Sequence, residues 1–374
     1  MKFRKFSVIG LLALGAFITS SATSARAADW PGQADWKKTI ATAKKEGKII
    51  ITGPIGRSWR APLMAFEKEF GIKVEFTGAW GRDFYPRLEQ ERKAGKFLWD
   101  LRVTAADSRA YRLVRAGKAI AAVRDYIVLP EVLDDKNWIG GFDSIFADNA
   151  KKHFIGFGML NLPVAWVNRN MVSEKELSHL KQLTDPKWKG KISSADPRAG
   201  AAMVGLSKLL AHKDYGEKFM MDLIVGNKAV ITRNIRLQVD WLVRGKYPIA
   251  LAPTSGILLS YKRKGLAAAK NIFPLAGLPS YSSGFAGVIA IKNPPHPNAA
   301  KLYANWVLTQ KVQQRIATAA NYNSRRTDVK PGDPLVQVDA SRLGDYLPAQ
   351  VEAMLPHYKR VIELGRQLAA KKKK

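Results

Sequence analysis

Residues 183–203 read LTDPKWKGKISSADPRAGAAM, and the order of residue types in this stretch narrows the fold. Asp185 and Pro186 open a turn, Trp188 is an apolar plug, and Gly190 permits a tight backbone. ISSA is then long enough only for a short strand. DPRAGAAM follows as a helix start, with Asp196 at the expected N-cap and Pro197 at the first helical position, where its missing N–H costs nothing. A short strand feeding a helix N-terminus leaves free backbone N–H groups at the strand's end, which suits an anion. Arg198, beside Ala199 and Gly200, adds a fork of donors to the same place. The alternative is that Arg198 pairs with a surface acid or covers the neighbouring core.

The strand, loop and helix order recurs on the N-terminal side. WKKTIATAKKEGK is a helix closed by Gly47, and IIITG a buried strand running into PIGRSW. APLMAFEKEFG, IKVEFTG, AWGRDF and YPRLEQERKAGK repeat the unit, and WDLRVTAADS with RAYRLVRAGKA makes a third. Three such units predict an α/β chain with a mainly parallel sheet and helices on both faces. Ligands of such sheets sit beyond the carboxyl ends of the strands. Arg57, Ser58 and Trp59 after the first strand, and Trp80 and Arg82 after the second, offer stacking, hydrogen bonds and positive charge there. The competing reading makes the tryptophans core and the arginines solvated rim. Asp107 either accepts from a ligand or caps the helix that follows.

Further along, residues 127–152 lack a clean period and read as an irregular connection with short helices. FIGFGMLNLPVAWVN is extended, with Pro163 favouring an edge or crossover strand. AVITRNIRLQVDWLVRGKYPIALAPTSG adds strand, helix and strand, and places Thr232, Arg233, Thr254 and Ser255 at strand ends; SGFAGVIAI is a last strand.

Composition bounds the rest. The chain of 374 residues has no cysteine, which excludes disulfides, thiolate metal sites, a cysteine nucleophile and a lipid-anchored cysteine. MKFRKF, an apolar run and ARA at Ala25 to Ala27 have the form of a cleavable export signal, so the mature chain is expected to begin at Ala28 in the periplasm. The formal charge of +30, of which +26 lies after residue 27, suits anionic surfaces and small anions in that compartment, or is a generic solvated surface. The five histidines are scattered without a short ligand spacing, and no nucleophile elbow, HExxH or phosphate loop occurs. No cofactor and no catalytic residue is expected. An enzyme and a surface protein that uses its charge to hold polyanions are the less favoured classes, and binding by the latter would fall steeply with salt.

PVAWVNRNMV, LKQLTDPKWKGKISSADPRAGAAM and HPNAAKLYANWVLTQKVQQRIATAANYNSRRTDV together resemble the type II periplasmic solute-binding proteins of ABC importers, the cluster that includes ferric-ion, thiamine, polyamine and phosphonate binders. The resemblance implies two α/β lobes with a hinge between them and a solute held in the cleft. It divides the chain into a signal peptide (1–27), the first part of lobe 1 (28–161), lobe 2 (162–284), a return to lobe 1 (285–330) and a C-terminal helical extension (331–374), with crossovers near 162–167 and 285–291. It implies ABC permease subunits as partners, no nucleic acid, and a monomer. An anionic or zwitterionic organic solute is the expected ligand, and ferric iron with a synergistic anion the alternative. Ferric members of the cluster usually place adjacent tyrosines near APTSGILLSYKRKG, where this chain has a lone Tyr261; Tyr85 and Tyr281 are the other tyrosines considered for iron.

Overall fold

The computed structural model describes residues 30–198, 200–253, 255–278, 280–282, 286–332, 338, 347–348 and 351–371. The expected signal peptide, Ala199 and Thr254 lie outside them.

The first sheet is built from β1 (Lys48–Gly53), β2 (Lys73–Gly78), β3 (Leu101–Arg102) and β4 (Phe154–Gly156). Ile49 and Ile51 face one core with Leu101 and Val103, while Ile50 faces another with Phe154. A strand buried on both faces needs helices on both sides, which is why IIITG is apolar without alternation. Helix Arg57–Phe70 supplies Leu63 and Phe66 to one side, and helix Gly81–Lys93 supplies Phe84, Tyr85 and Leu88 to the other.

Next along the chain come β5 (Gly158–Asn161), β6 (Ala165–Asn168), β7 (Ile192–Ala195), β8 (Val230–Thr232), β9 (Ile249–Leu251) and β10 (Ile272–Pro274). The second sheet has the order β10-β6-β9-β7-β8. It is two-faced in the same way, with Ile249 and Leu251 in one core and Ala250 with Trp166 in another. The chain continues through β11 (Ser280–Ser282), β12 (Gly287–Ala290), β13 (Asn323–Ser324) and β14 (Leu347–Pro348).

With β12 in place the first sheet reads β2-β1-β3-β12-β4, and β12 runs against both its neighbours. In the second sheet β6 runs against β9 and β10. Each sheet is thus mostly parallel with one reversed strand. A third, small sheet of order β13-β5-β11-β14 contains the segments that lead into those reversed strands.

The crossovers were expected near 162–167 and 285–291. Those residues instead contain β6 and β12, which are internal strands of the second and first sheets, and the pairing outside the two large sheets falls at β5 and β11, with Tyr281 opposite Asn161. Pro163 accounts for the first offset, because it separates β5 from β6 rather than interrupting a single strand. The C-terminal helix Val351–Lys371, roughly 30 Å long at 1.5 Å per residue, touches both halves. Glu352 accepts the Asn149 N–H at 2.9 Å and Leu355 packs on the first half, while Val361, Leu364 and Leu368 enter a core of the second.

Candidate functional site

Parallel register brings the strand ends level. Gly53 pairs with Gly78 and Thr52 with Arg102 on the first sheet, while Ala195 pairs with Thr232 and Ser194 with Leu251 on the second. The loops and helix starts that follow carry Arg57, Ser58, Trp59, Trp80, Arg82, Asp107, Arg198, Gly200, Arg233 and Ser255, and Thr232 closes β8.

On the first sheet Arg57 and Ser58 are exposed in the opening turn of their helix. Trp59 turns partly inward, its ring 5.3 Å from that of Tyr322. Trp80 is 57% exposed. Arg82 is also exposed, with only a loose ion pair to its neighbour Asp83 at 3.7 Å, which contributes little. Asp107 is the N-cap of helix Ser108–Arg115, accepting from the Arg109 and Ala110 N–H groups. Its other oxygen lies where a β-carbon on Gly81 would be, 2.1 Å away, so Gly81 is required for the carboxylate to approach the start of helix Gly81–Lys93.

Sequence reading passed over Arg102. It is buried at the end of β3, donates to Thr52 Oγ1 at 3.1 Å and to the Ala79 carbonyl at 3.0 Å, and lies over the Phe84 and Tyr85 rings. It ties together the ends of β1, β2 and β3. Among the described residues its Nε and the Tyr85 hydroxyl are buried without a geometric hydrogen bond, although the two side chains lie against each other. Burial pushes the Tyr85 phenol well above its ordinary range, against the opposing pull of Arg102, so this tyrosine is a poor phenolate donor. The legible signal was a charge inside the apolar run LRV.

On the second sheet the carboxylate of Asp196, with only 4% of its side chain exposed, is the centre. It accepts from the Arg198 N–H and Nε, both at 2.9 Å, from Arg198 Nη2 at 2.6 Å, and from Arg233 Nε at 3.0 Å. These bonds, Arg198 first, hold the Asp196 carboxyl well below the usual carboxylate range although burial opposes them. Asp196 therefore does not sit at the immediate N-cap as read from the sequence: the helix begins at Gly200, and the carboxylate closes a turn on Arg198 two residues on. Arg198 has its own neighbour as partner. Two guanidiniums on one carboxylate leave a net positive charge, carried outward by Arg233, whose side chain is 71% exposed.

This cluster bounds a cavity of about 180 Å³ together with Ile231, Gly365 and Leu368. Gly365 of the C-terminal helix is packed so closely that a β-carbon there would lie 2.9 Å from Arg198 Cγ. The space is below the roughly 300 Å³ of a typical organic-ligand pocket and suits a small anion or one anionic group. Thr232 Oγ1 accepts the Asn234 N–H, and Asn234 in turn caps helix Ile235–Val243. Gly200 and Ser255 stand at helix starts after β7 and β9. Ala252, just before Pro253, holds a left-handed φ of 46°, a costly conformation for a residue with a β-carbon.

Tyr261 donates to Asp240 Oδ1 at 2.8 Å on the helical side of the second sheet, and Tyr281 is described only as a backbone member of β11. Among the described residues no three His, Asp or Glu side chains gather as a metal site. Four large apolar side chains are exposed on these loops: Ile55, Trp80, Ile235 and Leu237. Deeper in the second half, Lys208 is fully buried in helix Gly200–Ala211 and donates to the Leu162 carbonyl at 3.1 Å, between β5 and β6. Burial pushes its pKa down to about 7.

No family model and no curated protein matches this chain. Solved structures do. An apo ferric ion-binding protein A from Pasteurella haemolytica is 16% identical with a TM-score of 0.64, over 86% of this chain and 98% of that one. A Trichodesmium protein in complex with iron and citrate is 19% identical with a TM-score of 0.64, over 85% and 99%. Iron-bound HitA from Pseudomonas aeruginosa is 19% identical with a TM-score of 0.62, over 84% and 99%. The likeness is of fold: this chain has the two-lobed architecture of the type II periplasmic binding proteins.

Proposed function

We propose that this chain is the periplasmic solute-binding component of an ABC importer, without catalytic activity, that holds its cargo between the strand-end loops of the two lobes and delivers it to membrane permease subunits. The observation that carries the reading is the Asp196, Arg198 and Arg233 cluster at the ends of β7 and β8, a preorganised and net positive wall with Arg233 exposed, beside a cavity of about 180 Å³ that lies between this wall and the C-terminal helix. Closure on a bound anion supplies the differential contacts that a hinge needs to favour its closed state.

For the cargo, ferric iron held with a synergistic anion is the better supported reading. The solved structures of the same fold include an apo ferric ion-binding protein and one in complex with iron and citrate. The small cavity fits an anion of phosphate or carboxylate size. A specific observation favours an organic anion instead. Trp80, Ile55, Ile235 and Leu237 expose apolar surface on both sets of loops, while Tyr85 is buried and Tyr261 is engaged by Asp240.

A thermal-shift screen of metal-stripped protein decides between them. A ligand that binds only the folded state at a hundred times its Kd stabilises it by about 2.7 kcal/mol. Ferric citrate raising Tm where citrate alone does not identifies iron as cargo. A shift with phosphate esters or carboxylates in the absence of iron identifies an organic anion. In either case Arg233→Ala, an exposed position, is expected to remove the shift, and an unchanged shift in that variant rejects the cluster as the site.

A further inference from the structure

The excess positive charge finds a structured site at the opposite end of the first lobe. Helix Gly81–Lys93 starts at the carboxyl end of β2 and runs back for about 20 Å at 1.5 Å per residue. Its last turn therefore lies on the far edge of the sheet from the candidate cleft. There Arg92, Lys93, Lys118 and Lys292 line a cavity of about 330 Å³ whose apolar lining is Phe97 and Ala119. Among the described residues Glu89 is the only acid in the lining, and it is engaged by Arg112 at 2.9 Å.

Several features separate this place from an ordinary solvated face. Arg92 has no carboxylate within ion-pair distance among the described residues: its Nη2 donates to the Lys292 carbonyl, the Lys292 ammonium donates to the Gly117 carbonyl at 2.7 Å, and the Arg92 Nε is buried with no hydrogen-bond partner. Its guanidinium lies 4.2 Å over the Phe97 ring, and burial lowers its pKa. Phe97 and Leu98 are consecutive and both exposed, at 43% and 40%. The next residue, Trp99, is buried and donates its Nε1–H to Glu91 at 2.7 Å, which anchors the segment that carries them. Ala119 and Asn293, both in the lining, hold left-handed φ values of 56° and 48°. Strained backbone at non-glycine positions gathers at functional sites.

A ring of cations, with the half-exposed Phe97 in its wall and the exposed Leu98 next to it, matches an anionic head on an apolar body. We propose that this cavity binds the phosphate head of an anionic phospholipid, with Phe97 and Leu98 entering the membrane interface. Free phosphate esters share the head chemistry but give Phe97 and Leu98 nothing to enter, and a small organic acid needs no exposed apolar pair. Because the site is on the far edge, lipid contact leaves the strand-end loops open, and it supplies a reversible membrane association to a chain that has no cysteine to lipidate.

Co-flotation of the purified chain with vesicles of phosphatidylglycerol in phosphatidylcholine, at physiological ionic strength, tests the proposal. Lys93→Glu with Lys118→Glu, both exposed, is expected to weaken partitioning by roughly tenfold or more, since each cation near an anionic surface contributes severalfold. Lys213→Glu with Lys264→Glu, exposed on the second lobe, removes the same net charge and is expected to cost less than about threefold. Equal losses in both pairs would mean that the charge acts generically and would overturn the proposal. A Phe97→Cys protein carrying a polarity-sensitive dye, the only thiol in the chain, is expected to shift to the blue with these vesicles and not with soluble glycerol phosphate. A shift with glycerol phosphate alone, or none with vesicles, also overturns it.

Discussion

Lys208 makes stability depend on pH in a direction that few lysines do. Its folded pKa of about 7 lies below the ordinary lysine value of roughly 10.4, so between those two values the unfolded chain binds the extra proton. Stability must then rise with pH across that window. The slope approaches about 1.4 kcal/mol per pH unit, and from pH 7.5 to 9.5 it sums to about 2.5 kcal/mol after allowing for partial titration at each end. Below pH 7 both states are protonated and the cost of burying the ammonium is constant. The perturbation is Lys208→Met, which keeps the volume and removes the proton. It also removes the donor to the Leu162 carbonyl, a loss of about 1–3 kcal/mol that is independent of pH and leaves the slope untouched. Urea unfolding of both proteins at pH 7.5, 8.5 and 9.5 gives the difference at each pH, which cancels all other titrations. The wild type should gain about 2.5 kcal/mol on the variant across the series. A difference that is flat with pH refutes the reasoning and means that the ammonium keeps its charge in the folded state.

Three further outcomes are expected. Asp196→Asn at pH 7 should lose about 2–4 kcal/mol by denaturant unfolding, because two guanidiniums lose their shared charge partner. Since the folded carboxyl titrates well below the usual range, its contribution is present above the unfolded value near 4 and disappears only as pH falls beneath that, so the loss should be constant from pH 8 to about 5. Gly287→Ala in β12 places a β-carbon 1.9 Å from the Ile155 carbonyl oxygen, and since backbone cannot yield, about 3 kcal/mol or more should be lost in a thermal melt, whereas Gly256→Ala, with open space around it in a helix, should be neutral or stabilising by up to about 1 kcal/mol. Arg102→Met should cost about 2–4 kcal/mol and quicken amide exchange in residues 79–81, because the Ala79 carbonyl and Thr52 hydroxyl lose their buried donor.

Much of this protein is local and so was legible in the chain. Apolar runs such as IIITG, stopped by glycines and followed by helical periods, determined the α/β class, the parallel order of β1, β2 and β3, and the loops on which candidate side chains would stand. Asp107 as a cap and Asp185 as a turn former are equally local, since a short acidic side chain reaches only its own next few N–H groups. Tertiary structure decided everything that depends on which distant residues meet. It set β6 and β12 as internal reversed strands and moved the crossovers to β5 and β11, because pairing register is a property of two segments and Pro163 alone names no partner. The same dependence hid the site's electrostatics. Arg198 looked available because its partner Asp196 was assigned to the backbone, and only the side-by-side ends of β7 and β8 bring Arg233 to the same carboxylate. Arg102, Lys208 and the C-terminal helix against Arg198 went unread for one physical reason: burial changes what a charge does, and a linear sequence does not state which charges are buried.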